Sequence, residues 1–248
     1  MTQPLKLTEA YRTEQRVKRR FAEAVRQFGL IEPGDRLLVG LSGGKDSLAL
    51  LELLADYRRR CPFEFEVKAL HVRMQGIDYL TDTSYLEDMA SQCGVTLLVR
   101  TASFEADRNS RRTPCFLCSW NRRKQLFETA QAEGCNKIAL GHHQDDILHT
   151  ALMNLSFNGT FSTMPALLRM RKFPISIIRP LCLEHETDIA FLAKQHDYVK
   201  QVKRCPHEKE SRRTEAAAQF EQLCRFAPEF RQNLWHALLK EGKLVETE

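Results

Sequence analysis

Val17, Phe21, Val25 and Phe28 recur every three or four positions among charged residues, a spacing that predicts an amphipathic helix ahead of the core. The turn signal Glu32-Pro33-Gly34-Asp35 ends it, and Arg36 to Leu41 follows as a short apolar strand. Ser42-Gly43-Gly44 breaks the strand, and Asp46 to Arg60, dense in leucine, reads as a buried helix. The same alternation continues with a strand at Glu66 to Val72, a helix at Asp78 to Cys93 stopped by Gly94, and a strand at Val95 to Arg100. Thr101 to Pro114 is polar and arginine-rich, a loop. Ser119 to Glu133 is helical and closed by Gly134, Lys137 to Leu140 is a strand, and Gln144 to Phe157 is a helix. After a loop at Asn158 to Pro165 come a strand at Ile175 to Ile178 and a helix at Glu184 to Asp197. Beyond Cys205 the chain is highly charged, then helical, with Phe220, Leu223, Phe226, Phe230, Leu234 and Leu238 at helical spacing.

Strands that alternate with helices must run parallel and be joined by helical crossovers. The expected fold is therefore α/β, a doubly wound, mostly parallel sheet of five strands whose ligand crevice lies at the carboxyl ends of the strands. Residues 1–30 form an N-terminal helical extension, 31–205 the α/β domain, and 206–248 a C-terminal helical tail.

Composition narrows the setting. Hydrophobic residues at 43% and charged residues at 28% exclude wholesale disorder, and no apolar run approaches a membrane span. Met1 to Arg20 lacks the apolar stretch of a secretory signal, so the expected location is the reducing cytoplasm, with no membrane partner. There, eight cysteines read as thiols or metal ligands. The net charge of +5 permits a nucleic-acid partner without demanding one.

Between the first strand and its helix lies Ser42-Gly43-Gly44-Lys45-Asp46-Ser47. Amides of Gly43 and Gly44 can approach a phosphate without a Cβ clash, the helix end adds positive partial charge, and Ser42, Ser47 and Lys45 add donors. The segment is not a Walker A loop, because Val39 stands where the first glycine is needed and Asp46 follows the lysine. Asp46 beside phosphates implies that it binds Mg²⁺ or orients the leaving group. Gly141-His142-His143-Gln144-Asp145-Asp146 follows the fourth strand, at the same edge. Gly141 allows a close approach to a nucleotide, either histidine can polarise an oxygen, and Asp145 and Asp146 can bind Mg²⁺, act as a base, or simply satisfy the amides of a helix start.

Cys115 and Cys118 form a C-x₂-C pair just before a helix, and Cys205 is the best third ligand. Cys61, Cys93, Cys135, Cys182 and Cys224 lie in or beside apolar patterns and read as core. Three thiolates fit either a zinc site completed by His207 or a [4Fe–4S] cluster with one open iron, and spacing does not separate them. Basic residues cluster at Arg16, Lys18, Arg19 and Arg20, at Arg111 and Arg112, at Arg122, Arg123 and Lys124, and at Arg169, Arg171 and Lys172. Those flanking the C-x₂-C can draw phosphates to it, and the others read as solvated faces. Trp120 is suited either to stacking on a base or to covering a metal centre, and His149, His185 and His196 read as structural.

SGGKDS after a first strand resembles the PP-loop of the N-type ATP pyrophosphatases, which cleave ATP between the α and β phosphates and adenylate an oxygen of their substrate. The order of PP-loop, C-x₂-C, GHHxDDI, IIRPL and a late cysteine, from about Val17 to Cys205, resembles the tRNA 2-thiocytidine biosynthesis family. That resemblance implies an adenine nucleotide alpha hydrolase-like fold, ATP and Mg²⁺ as cofactors, and a [4Fe–4S] cluster on Cys115, Cys118 and Cys205. It implies ATP contacts from Ser42, Gly43, Gly44, Lys45, Asp46, Ser47, Gly141 and His142, catalytic roles for Lys45 and Asp46, and a catalytic or ATP-binding acid at Asp145 or Asp146 without telling which. The implied partners are tRNA, a sulfur donor such as a cysteine desulfurase or free sulfide, and a second copy in a homodimer. The implied reaction adenylates the C2 oxygen of a pyrimidine, cytidine in the anticodon loop, and replaces it with sulfur, releasing pyrophosphate and AMP.

Three departures stand out. Cys205-Pro206-His207-Glu208 lacks the family's second C-x₂-C, His71 to Gly76 lacks its Asp-Gln and Pro-Gly-rich segment, and Asn158 to Pro165 is less glycine-rich. They suggest a divergent paralogue and leave the RNA target open, and the first of them favours the zinc alternative. Two other readings stand beside the sulfurtransferase: a PP-loop adenylating ligase with structural zinc, and a regulator that binds nucleotide and cluster without turnover, against which the intact Lys45, Asp46, Asp145 and Asp146 argue.

Overall fold

A computed structural model describes residues 8–103, 114–171, 173–204 and 212–247. Its helices are α1 (Glu9–Phe28), α2 (Lys45–Arg60), α3 (Ser84–Gln92), α4 (Pro114–Ala132), α5 (Gln144–Asn158), α6 (Glu186–Gln195), α7 (Arg212–Phe226) and α8 (Phe230–Lys240). Its strands are β1 (Arg36–Gly40), β2 (Glu66–Met74), β3 (Asp78–Tyr79), β4 (Thr96–Ala102), β5 (Lys137–Ala139), β6 (Leu167–Arg169), β7 (Ser176–Ile178), β8 (Lys203–Arg204) and β9 (Val245–Thr247).

The main sheet has seven strands in the order β4-β2-β1-β5-β7-β6-β9. Strands β4, β2, β1, β5 and β7 are mutually parallel and are the five that periodicity predicts. The two additions are β6, antiparallel to β7, and β9, parallel to β6. Each spans three residues, as β5 and β7 also do. From β1 the chain builds outward through β2 to β4, then crosses back to β5 on the other side. The order therefore reverses between β1 and β5, where a doubly wound sheet opens its ligand crevice.

Side chains alternate across the sheet as the pleat requires. Leu37 and Val39 enter the larger core with α1, α2 and α5, whereas Leu38 enters a second core with Leu70, Ile138 and Ile175, packed by Leu126 and Phe127 of α4. Phe21 of α1 and Phe220, Trp235 and Leu238 of the C-terminal helices belong to the same larger core as β1. Fully burying a side chain of this size contributes about 1.5–3 kcal/mol, so α1, α7 and α8 are packed into the α/β body.

Three local expectations change. Residues 78–83 are not helical: Leu80 N donates to Val202 O (2.9 Å), Val202 N donates to Thr81 Oγ1 (3.0 Å), and β3 pairs with β8. Asp82 Oδ1 accepts from Ser84 N at 3.0 Å and marks the true helix start. The C-x₂-C lies inside α4, not before it, because Pro114 takes the first helical position, where its missing N–H costs nothing. The apolar run after Cys205 is two helices broken at Ala227-Pro228-Glu229, which leaves Phe226 88% exposed. Among the described residues no helix is long and apolar enough to cross a membrane.

Candidate active site

Strand β1 ends at the glycine-rich loop, and the loop's own bonds shape it. Gly43 has φ +79°, a left-handed conformation that favours glycine. Ser42 Oγ accepts from Gly44 N (3.3 Å) and lies 3.1 Å from Ser47 Oγ, which donates to Gly44 O (2.8 Å). Gly44 caps α2 without a side chain, so the helix start has no side-chain oxygen of its own cap across its amides.

Strand β5 ends alongside it. A Cβ on Gly141 would sit 2.8 Å from Asp46 O and 3.0 Å from Ser47 N. The close approach expected of Gly141 is therefore to the backbone of α2. This contact brings the GHHQDD segment to Lys45 and Asp46. Lys45 Nζ bonds Asp46 (2.9 Å) and Glu186 (2.7 Å), and Glu186 Oε2 lies 2.8 Å from His143 Nε2. Burial works against the Lys45 charge, but the Glu186 and Asp46 carboxylates outweigh it and hold its pKa above the ordinary value.

The two neighbouring acids bond to backbone. Asp146 Oδ2 accepts from His143 N (3.3 Å), as a residue in the first turn of a helix does. Asp145 accepts from Glu186 N (2.8 Å) and from Arg231 (2.7 Å). Burial raises its pKa, but these two donors win and the net shift is downward, so Asp145 is a buried carboxylate. His142 Nδ1 accepts from Arg179 Nε at 3.3 Å, which puts its own proton on Nε2.

Beside the glycine-rich loop lies a cavity of about 370 Å³. Gly40 to Ser42, Leu70, His71 and Val72 line it from the sheet, Arg122 and Leu126 from α4, and Lys200 and Gln201 from the segment before β8. Arg122 also reaches Tyr79 Oη (3.3 Å), whose ring stacks under Arg73 at 4.7 Å. A cavity of about 700 Å³ opens at the opposite, amino-terminal edge of the sheet, and no sequence-predicted site residue lines it.

Cys115, Cys118, Arg122 and Leu126 follow i, i+3, i+7, i+11 along α4 and share one helix face. Cys115 is exposed and Cys118 half-buried. Four residues of helix rise about 6 Å, so the Cys118 backbone stands one turn from a cavity wall. The predicted third ligand, Cys205, lies outside the described residues, as do Arg111, Arg112, Lys172 and His207. The chain leading to Cys205 is described: Gln201 N donates to Gly43 O (2.9 Å), and β8 then pairs with Asp78 and Tyr79 up to Arg204. Trp120 is 47% exposed on the side of α4 opposite Cys118, so it does not cover the cysteine face, and Lys124 Nζ lies 5.9 Å from its ring. Arg16 and Arg20 are engaged by Asp188 of α6 at 2.6 and 2.9 Å. Cys135 and Cys182 are buried, and Cys61, Cys93 and Cys224 pack against the core.

Glu186, Arg231, Gln201, Tyr79 and Arg179 are the site residues that sequence reasoning missed. The IIRPL run around Arg179 was the one available signal. Among the described residues no group of three His, Cys, Asp or Glu side chains is arranged to hold a metal ion. Mg²⁺ bound to a triphosphate needs only one or two carboxylates from the protein, and Asp46 lies within the glycine-rich loop.

Comparison with known proteins bears on the family and the fold. Residues 13–202 match the PP-loop domain family. The tRNA-cytidine(32) 2-sulfurtransferase of Anaeromyxobacter dehalogenans strain 2CP-C is 33% identical over 237 residues, covering 94% of this chain and 81% of that protein. The enzyme of the same name from Bdellovibrio bacteriovorus is 36% identical over 185 residues, covering 73% of this chain and 70% of its own. Among solved structures, the U34-tRNA thiolase NcsA from Methanococcus maripaludis with its [4Fe–4S] cluster shares the fold, with a TM-score of 0.72 at 24% identity over 92% of this chain and 78% of that one. The chain belongs to the PP-loop family, in the branch that includes the tRNA-cytidine 2-sulfurtransferases. Those relatives are transferases.

Proposed function

We propose that this protein is an ATP-dependent tRNA 2-sulfurtransferase that adenylates the C2 oxygen of a cytidine and replaces it with sulfur through a [4Fe–4S] cluster on Cys115, Cys118 and Cys205. One observation carries the reading: the α4 face holding Cys115 and Cys118 continues through Arg122 and Leu126 into the cavity beside the glycine-rich loop. The 33% identity to a tRNA-cytidine(32) 2-sulfurtransferase supplies the substrate class.

A pyrimidine C2 oxygen is a poor leaving group. Its attack on the α-phosphorus of ATP forms an O–P bond, breaks the α–β bridge and releases pyrophosphate. The amides of Gly43 and Gly44 and the start of α2 hold the phosphates, with the apolar walls Leu70, Val72, Leu126 and Leu140 around the nucleotide. Lys45, held by Glu186 and Asp46 at rest, turns its ammonium to the departing pyrophosphate and offsets the charge that develops there. Asp46 would hold the Mg²⁺ that comes with the phosphates, and His142 donates from Nε2 to an oxygen of nucleotide or substrate. Asp145 and Asp146 position the helix starts. Sulfur then attacks C2 and AMP leaves. Cys115, Cys118 and Cys205 would hold the cluster, which would supply an iron open to sulfide. Arg122 and Lys200 draw the RNA phosphates toward the cavity. The sulfur donor is free sulfide, or a cysteine desulfurase whose persulfide sulfur is released as sulfide by two electrons from a thiol reductant; the protein acts as a homodimer, and the setting is the cytoplasm.

The test is anaerobic turnover with ATP, sulfide and unmodified tRNA. The expected products are pyrophosphate, released only when tRNA is present, and 2-thiocytidine in the nucleoside digest. Pyrophosphate without any thionucleoside would point to the adenylating ligase, and no RNA-dependent pyrophosphate to the regulator.

A further inference from the structure

The PP-loop family match ends at residue 202, yet a side chain from the C-terminal helices reaches the site. Arg231 of α8 donates to Asp145 Oδ1 at 2.7 Å. Asp145 Oδ2 accepts from Glu186 N at 2.8 Å, at the first residue of α6. Glu186 then holds both Lys45 (2.7 Å) and His143 (2.8 Å). Three short contacts thus join the C-terminal tail to the lysine of the glycine-rich loop, and a fourth branches from Glu186 to His143. The guanidinium itself is fixed: it lies over the Phe220 ring at 5.1 Å, and Phe220 is fully buried.

We infer that Arg231 is a positioning residue of the nucleotide site, locking Asp145 and through it the start of α6, so that Glu186 keeps Lys45 and His143 in register with the glycine-rich loop. This rests on the reading of that loop as an ATP site. It makes the tail part of the active site. A bond to a charged partner at a half-buried position supports an effect on the order of tenfold in affinity when it is removed.

The experiment is calorimetric titration of the anaerobically prepared full chain with ATP and Mg²⁺, alongside the melting temperature of each unliganded variant. Arg231→Met is expected to weaken ATP binding about tenfold, and Arg231→Lys to recover part of the loss. Asp145→Asn is expected to weaken binding similarly, and adding Arg231→Met to it to cause no further loss, because both act through one relay. Should Arg231→Met not fold, Arg231→Lys and Asp145→Asn carry the test, each expected to bind several-fold more weakly than wild type. Wild-type affinity in the Arg231 variants, or equal losses from Arg231→Met with and without Asp145, would overturn the relay even if melting temperatures fell. A wild-type chain that binds no ATP would overturn the reading of the loop, and the relay with it.

Discussion

Replacing Gly141 with alanine adds one methyl group where the exit of β5 meets the start of α2. The ideal Cβ would lie 2.8 Å from Asp46 O, 2.9 Å from Asp46 C and 3.0 Å from Ser47 N. All three are backbone atoms of a helix start packed in the crevice, so no side chain can swing aside. Ordinary contact needs about 3.4–4 Å, so the two segments must part by about half an ångström. Overpacking of this kind costs about 1–3 kcal/mol, which for a chain of this length lowers the melting temperature by roughly 2–12 °C. The same displacement moves Lys45 and Asp46 away from His143, so ATP affinity falls as well. Gly44→Ala is the contrast for stability, since its Cβ meets only Ser42 Oγ at 3.5 Å. Thermal melting and ATP titration of both variants check this. A Gly141→Ala protein as stable as wild type, with unchanged ATP affinity, would refute the close-approach argument.

Glu184 is fully buried, both its carboxylate oxygens lack a hydrogen-bond partner among the described residues, and burial pushes its pKa up to about 8. The folded state therefore keeps a proton that the unfolded state loses above about pH 4.3, and stability declines as pH rises from there through 8. Glu184→Gln should match wild type near pH 4 and become more stable by a few kcal/mol above pH 8; a difference that does not vary with pH would refute this. Phe220 and Phe226 look alike in the sequence pattern but are 0% and 88% exposed. Phe220→Ala should cost about 3–5 kcal/mol in urea unfolding and Phe226→Ser within about 0.5 kcal/mol, and similar losses for both would contradict the break between α7 and α8. Arg179 is buried, with its guanidinium on Pro165 O and His142 Nδ1. Arg179→Met should cost about 1–3 kcal/mol by leaving those acceptors unpaired, and an unchanged unfolding midpoint would show that they find other donors.

Where local periodicity and local chemistry agree, the sequence was readable. The β1, glycine-rich loop and α2 unit carries a strand period, a break and a helix period in sequence, and the structure keeps that order. The helix expected over Asp78 to Cys93 starts late because β3 answers to a partner 121 residues away through Thr81 and Val202, which no local window contains. The same limit hid Glu186 and Arg231, ordinary charged residues until the fold sets them against Lys45 and Asp145. Asp145 and Asp146 were recognisable as important, but their spacing reads equally as metal ligands and as helix-start acceptors. Hydrogen bonds to Arg231 and to the backbone, visible only in three dimensions, favour the second.

The central claim is that a thiolate-held inorganic centre sits beside the ATP cavity with Cys205 as its third ligand. Iron and acid-labile sulfide, measured per chain after anaerobic purification of wild type and of Cys205→Ala, test it most directly. The account predicts about four iron and four sulfide per wild-type chain, as a [4Fe–4S] cluster requires, and loss of most of both in the variant. Zinc in place of iron, or iron content untouched by Cys205→Ala, would contradict it.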